Sequence, residues 1–155
     1  MHVVVATDGS HQSLTAARFL KGFADPTQIE ELTVVAVLSP FAAVPFANEL
    51  GSRDEQIDDP TSLSFRDEAQ AAVDIVAAEF DQWGPNVSRQ LLSGSPAAEI
   101  VKLADQVNAG LIVVASGSQG LSPTILLGST AQRVQHSAHC PVLVGREDWR
   151  RPRSN

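Results

Sequence analysis

The chain has 155 residues, 43% hydrophobic, 5% aromatic and 19% charged, which is one soluble globular domain and excludes a disordered tail or a collagen-like chain. Eleven Lys and Arg against eighteen Asp and Glu leave a formal charge of −7, a field that repels phosphate backbones and anionic membranes, so neither a nucleic acid nor a membrane is expected as partner. The single cysteine, Cys140, excludes an internal disulfide and fits a reducing cytoplasm. The N-terminus reaches Asp8 too soon for a signal peptide, and no apolar run approaches the about 20 residues of a membrane span.

Short Val-rich runs at 3–6, 32–38, 111–115 and 142–144 are continuous rather than alternating. Continuous apolarity means that both faces are covered, as in central strands of a parallel sheet. The run 87–92 is more polar and partly alternating, which predicts a half-exposed edge strand. Between these runs the period becomes helical: Ala16, Phe19, Leu20 and Phe23; then Phe65, Ala69, Ala72, Val73, Val76 and Phe80; then Ala97, Ile100, Val101 and Ala104. Gly84-Pro85 stops the second helix, and Ser95-Pro96 opens the third with a capping hydroxyl and a proline at its first position. A last helix starts at Gly128-Ser129-Thr130. The order β-α-β-α-β-α-β-α-β predicts an α/β fold, a doubly wound five-stranded parallel sheet with helices on both faces, in a single domain over 1–146. Segment 39–62, with three prolines and the acidic cluster Asp54, Glu55, Asp58 and Asp59, is read as a long mobile loop, and 147–155 as a basic tail.

Polar residues collect where strands end. The first strand runs into Thr7-Asp8-Gly9-Ser10, and the fourth into Ser116-Gly117-Ser118-Gln119-Gly120. In an open α/β sheet, ligands sit beyond the carboxyl ends of strands where the winding reverses, so the two runs meet there if strands one and four are neighbours. Small residues let backbone N–H groups approach a phosphate, and a helix opening at Gly128 adds unpaired donors, with Ser129 and Thr130 hydroxyls beside them. Asp8 has the wrong sign for phosphate but suits the hydroxyls of a ribose. The same glycines and serines also serve ordinary turns and helix caps. Neither G-x-x-x-x-G-K-[ST] nor G-x-G-x-x-G is present, which argues against a P-loop NTPase and a dinucleotide enzyme.

The opening Val3-Val4-Val5-Ala6-Thr7-Asp8-Gly9-Ser10, the stretch Gly94-Ser95-Pro96-Ala97-Ala98-Glu99-Ile100, the run Leu111-Ile112-Val113-Val114-Ala115-Ser116-Gly117 and the ending Cys140-Pro141-Val142-Leu143-Val144 together resemble the universal stress protein family over nearly the whole chain. That resemblance implies an adenine nucleotide alpha hydrolase-like sheet, a homodimer formed through strand 141–145, and, in a subgroup carrying Gly-x2-Gly-x9-Gly-[Ser/Thr], ATP binding. It implies ribose at Asp8, adenine at Ala36 and Val37, and phosphates at Gly117, Gly120, Gly128 and Ser129; Thr7 at the strand end and Thr130 as a hydroxyl donor are counted with them as candidate binding residues. Here seven residues, not nine, separate Gly120 from Gly128. The deficit shortens the loop by up to about 7 Å of extended reach. No Lys or Arg lies between 117 and 128, and Pro123 removes a further backbone donor.

The remaining candidates read as structural. His136 and His139 lack further ligands for a metal and suit a helix C-terminus. His11 is a first-turn residue that could approach a phosphate, Cys140 is a small apolar residue without a histidine partner, and Arg146, Arg150, Arg151 and Arg153 form a solvated tail. No nucleophile elbow or Ser-His-Asp arrangement appears, so no catalytic residue is assigned. The expectation is a cytoplasmic homodimer that binds ATP, or alternatively ADP or AMP, with Mg²⁺ through the phosphates. It acts in stress response or regulation with little or no hydrolysis. The alternative is a dimeric adaptor that binds no nucleotide. A transferase of the adenylyl type is disfavoured because no His-x-Gly-His or Ser-Gly-Gly-x-Asp run occurs.

Overall fold

Five parallel strands, β1 (His2–Ala6), β2 (Glu31–Leu38), β3 (Asn86–Ser93), β4 (Leu111–Ala115) and β5 (Val142–Gly145), form a single sheet in the order β3-β2-β1-β4-β5. The computed structural model describes residues 1–39, 65–117 and 128–146. Among these residues four α-helices alternate with the strands: α1 (His11–Phe23), α2 (Phe65–Ala78), α3 (Pro96–Gln106) and α4 (Ser129–Ser137). The predicted α/β order and single domain are therefore found. Most of the 39–62 loop, Gly120 and the 147–155 tail lie outside the described residues.

The continuous apolar runs resolve into two cores, because successive side chains of a strand point to opposite faces. Val3, Val5, Leu32, Val34 and Val113 pack beneath α1 and α2, whereas Val4, Val35, Ile112 and Val114 pack beneath α3 and α4. Most of these are fully buried, each contributing about 1.5–3 kcal/mol relative to exposure. β3 is an edge strand with a partly exposed pattern, paired with β2 over all eight residues, as its polarity predicts.

The structure shifts some details. The buried face of α1 is Ser13, Leu14, Ala16, Ala17 and Leu20; of the expected stripe, Phe19 and Phe23 lie at its margin, their rings tilted against each other at 5.1 Å between centroids and Phe23 59% exposed. Alanines at the contact let the helix lie too close to the sheet to admit bulky rings there. α2 ends at Ala78, ahead of Gly84-Pro85, and Phe80 reaches the core from the turn that follows. Ser95 is the N-cap residue of α3, but its side chain makes no capping bond; Pro96, at the first helical position, has no N–H to be left unpaired there.

The winding places the site. β1 leads into α1 on one face of the sheet and β4 leads toward α4 on the other, while β1 and β4 are hydrogen-bonded neighbours from Val3↔Leu111 to Val5↔Val113. Chains leaving adjacent strands in opposite directions open a crevice at their carboxyl ends, which is the end of the sheet where 7–10 and 116–117 lie.

Candidate functional site

The wall on the β1 side is made of side-chain hydrogen bonds. Thr7 continues the ladder for one residue, its N–H donating to the Val35 carbonyl at 2.9 Å, and the chain then turns away through Gly9, whose φ of +77° suits glycine. The Gly9 N–H donates to Thr7 Oγ1 at 3.2 Å. Ser10 caps α1, its Oγ accepting the Ser13 N–H at 3.2 Å, while its own N–H (3.1 Å) and O–H both donate to Asp8 Oδ1. Ser13 Oγ donates to the Ser10 carbonyl at 2.8 Å and lies 2.8 Å from Thr7 Oγ1. Thr7, Ser10 and Ser13 are 5%, 0% and 1% exposed, yet every one of these hydroxyls is bonded, as burial of a polar group demands. Asp8 is exposed, and its second oxygen has no partner among the described residues.

The floor is the end of β2. In a parallel strand alternate residues direct both backbone groups to the same neighbour. Val35 faces β1, and Leu38, which accepts the Gly94 N–H at 3.0 Å, faces β3. The same alternation turns Val37 toward β1 and Ala36 toward β3. The bond from Thr7 to Val35 is the last of the β1–β2 ladder, so the Val37 N–H and C=O face the crevice with no strand beside them among the described residues. Of the two expected positions, Val37 offers a hydrogen-bonding edge and Ala36 does not; the Ala36 methyl is buried in the α1/α2 core.

The wall on the β4 side is made of backbone in close approach. Gly117, at φ +103°, meets Gly128: a Cβ on Gly128 would lie 2.9 Å from the Ser116 carbonyl oxygen and 3.0 Å from the Gly117 Cα. The Gly128 N–H donates to that same Ser116 oxygen, so it is engaged within the chain. α4 starts beyond it with Gly128 as a cap that has no side-chain bond, and the first helical bond runs from Gln132 N–H to Gly128 O. The amides of Ser129, Thr130 and Ala131 consequently have no intrahelical acceptor. Ser129 is exposed and Thr130 half-buried.

Other candidates fall away from this crevice. His136 is in the last turn of α4, but His139 lies past that helix, its Nδ1 3.2 Å from Asp105 Oδ1, and no group of three metal-ligating side chains occurs among the described residues. The half-buried Cys140 has its thiol pKa pushed up by burial and then by the Asp105 carboxylate, the opposite of an activated nucleophile. Two clefts lie at the other, amino end of the sheet, one against Pro26 and Trp83 and one against His2 and Asn108. Neither adjoins a topological switch point.

Comparison with known proteins agrees with this architecture. The universal stress protein family model matches residues 1–146. The chain belongs to that family. A universal stress protein of Methanocaldococcus jannaschii, MJ0531, is 37% identical over 144 residues, 92% of this chain and 79% of that protein. Among solved structures of universal stress proteins, MJ0577 of the same organism superposes with a TM-score of 0.70 at 25% identity, covering 99% of this chain and 97% of that one. An Archaeoglobus fulgidus universal stress protein in complex with dAMP superposes with a TM-score of 0.58 at 25% identity, covering 94% and 97%. Ser13 is the part of the site that the sequence reading of this universal stress protein lacked; the spacing Asp8-x-Ser10-x-x-Ser13 was its only signal.

Proposed function

We propose that this universal stress protein binds an adenine nucleotide in the β1/β4 crevice and acts as a homodimeric stress-response or regulatory protein with little or no hydrolysis. The observation that carries the reading is the Val37 backbone edge, which has no strand paired to it among the described residues, at the sheet end that also holds the Asp8 carboxylate. An adenine edge carries both a donor and an acceptor, and a carboxylate oxygen accepts from ribose hydroxyls. Register supports the pairing: Ala6 stands opposite Val35, so two residues further Asp8 comes level with Val37. The amides at the start of α4 suit a phosphate, and the bound dAMP of the A. fulgidus relative supports a monophosphate as ligand class. With the Gly128 amide engaged and no Lys or Arg from 117 to 128, ADP and AMP fit the wall as well as ATP does, and any Mg²⁺ would be held through the phosphates. Among the described residues no general base beyond Asp8 is identified in the crevice, which is the reason for expecting little hydrolysis. The outer edge of β5, four residues long, suits pairing with its twin across a two-fold axis, and the family resemblance supports it.

A second reading, a dimeric adaptor without nucleotide, draws support from that same Gly128-to-Ser116 bond, which closes part of the phosphate wall on itself. Chromatography of the supernatant from denatured protein, purified without added nucleotide, separates the two. Adenine nucleotide released in proportion to protein is expected; protein that is empty and also fails to take up ATP, ADP or AMP favours the adaptor. Light scattering of the same sample tests the dimer.

A further inference from the structure

The buried hydroxyls beside Asp8 do more than cap a helix. A cap needs only an acceptor oxygen, and Asn, Asp or Gly serve there at small cost. Ser10 uses its oxygen for that purpose, accepting the Ser13 N–H, but its hydrogen goes to Asp8 Oδ1. The direction of the remaining bonds follows from proton count. Ser13 has one hydroxyl hydrogen and gives it to the Ser10 carbonyl, so at its contact with Thr7 it accepts, and Thr7 donates. Thr7 Oγ1 in turn accepts from the Gly9 amide. The strand end, the turn and the first turn of α1 are thereby joined into one bonded unit, with the Asp8 carboxylate at its exposed end. Oδ1 is held by two donors from Ser10, which restrains the orientation of the carboxylate and leaves Oδ2 without a bond among the described residues.

We propose that Ser10 and Ser13 are positioning residues for the Asp8 carboxylate, and that their bonded chain with Thr7 sets how strongly the crevice distinguishes a ribonucleotide from one lacking the ribose hydroxyls. This rests on the ribose reading of Asp8 given above. A carboxylate ordered before the ligand arrives loses little freedom on binding, whereas one released from Ser10 must be ordered by the ribose itself.

The test compares the affinities of ATP and 2′,3′-dideoxy-ATP for the full chain by calorimetry. For Ser10→Gly, which a cap tolerates, the preference for ATP is expected to fall about fivefold to tenfold, with dideoxy-ATP affinity held within about twofold. Ser13→Ala moves the preference in the same direction by a smaller factor, and Ser10→Thr, which keeps the hydroxyl, restores it. If Ser10→Gly does not fold, Ser13→Ala carries the test. An unchanged preference in the serine variants, or an equal loss for both nucleotides, overturns the positioning role. Asp8→Ala tells the two failures apart. If it abolishes the preference while the serine variants keep it, only the positioning is wrong; if it too leaves the preference intact, the ribose reading is wrong.

Discussion

The wall that β1 and α1 raise beside the crevice and the wall that β4 and α4 raise opposite it are ordered by different means. On the first, each bond involves a side chain: Thr7 to the Ser13 hydroxyl, that hydroxyl to the Ser10 carbonyl, and the Ser10 hydroxyl to the Asp8 carboxylate. On the second, two glycines bring backbone against backbone, and the bond that closes the contact runs from one main-chain amide to one main-chain carbonyl. A wall held by side chains can be tuned one hydrogen bond at a time without moving the chain. A wall held by the absence of side chains fails when any atom is added.

The largest effect expected from that contrast lies on the glycine side. Gly128→Ala would put a Cβ against the Ser116 oxygen and the Gly117 Cα, both backbone atoms with nowhere to retreat, and Gly117→Ala adds strain at φ +103°. Each should destabilise by about 1–3 kcal/mol, which for a chain of this size lowers Tm by about 3–10 °C. A thermal melt unchanged in both variants would show that the close approach is not what holds this wall.

Asp8→Ala should cost some stability, about 1–3 kcal/mol through the Ser10 donors left without an acceptor, but its distinctive effect falls on the ligand. Loss of a carboxylate acceptor is expected to weaken adenine ribonucleotide binding by about 10- to 100-fold, read by calorimetry. A large drop in Tm with little change in affinity would make Asp8 a part of the turn and not of a ribose site. The smallest effects belong to Ser129→Ala and Thr130→Ala. If that wall acts through amides at the start of α4, removing either hydroxyl changes affinity by less than about threefold. A tenfold loss in either variant would show side-chain recognition on both walls and erase the contrast.

The layout of this crevice was legible in the residues, and its chemistry only partly so. Continuous runs such as 32–38 identify buried parallel strands because both faces must be apolar, and the strand ends then mark the crevice. Helix faces were less legible. Phe19 and Phe23 satisfy the spacing of a buried stripe as well as Leu20 does, and only the closeness of α1 to the sheet, allowed by Ala16 and Ala17, moves the rings to the margin. Within the site, Val37 and Ala36 are indistinguishable by residue type, since what separates them is the side of the strand on which the peptide groups point. Ser13 was hidden for a different reason. A serine in a first helical turn is ordinary, and its role comes from a contact with Thr7 that exists only once the strand end and the helix are brought together.

The most direct measurement is a calorimetric titration of nucleotide-stripped protein with ATP, ADP and AMP, repeated on Asp8→Ala. The account predicts saturable binding of one adenine nucleotide per chain by the wild type and a large loss of affinity in the variant. No heat with any of the three at millimolar concentration, or binding that Asp8→Ala leaves untouched, would contradict it.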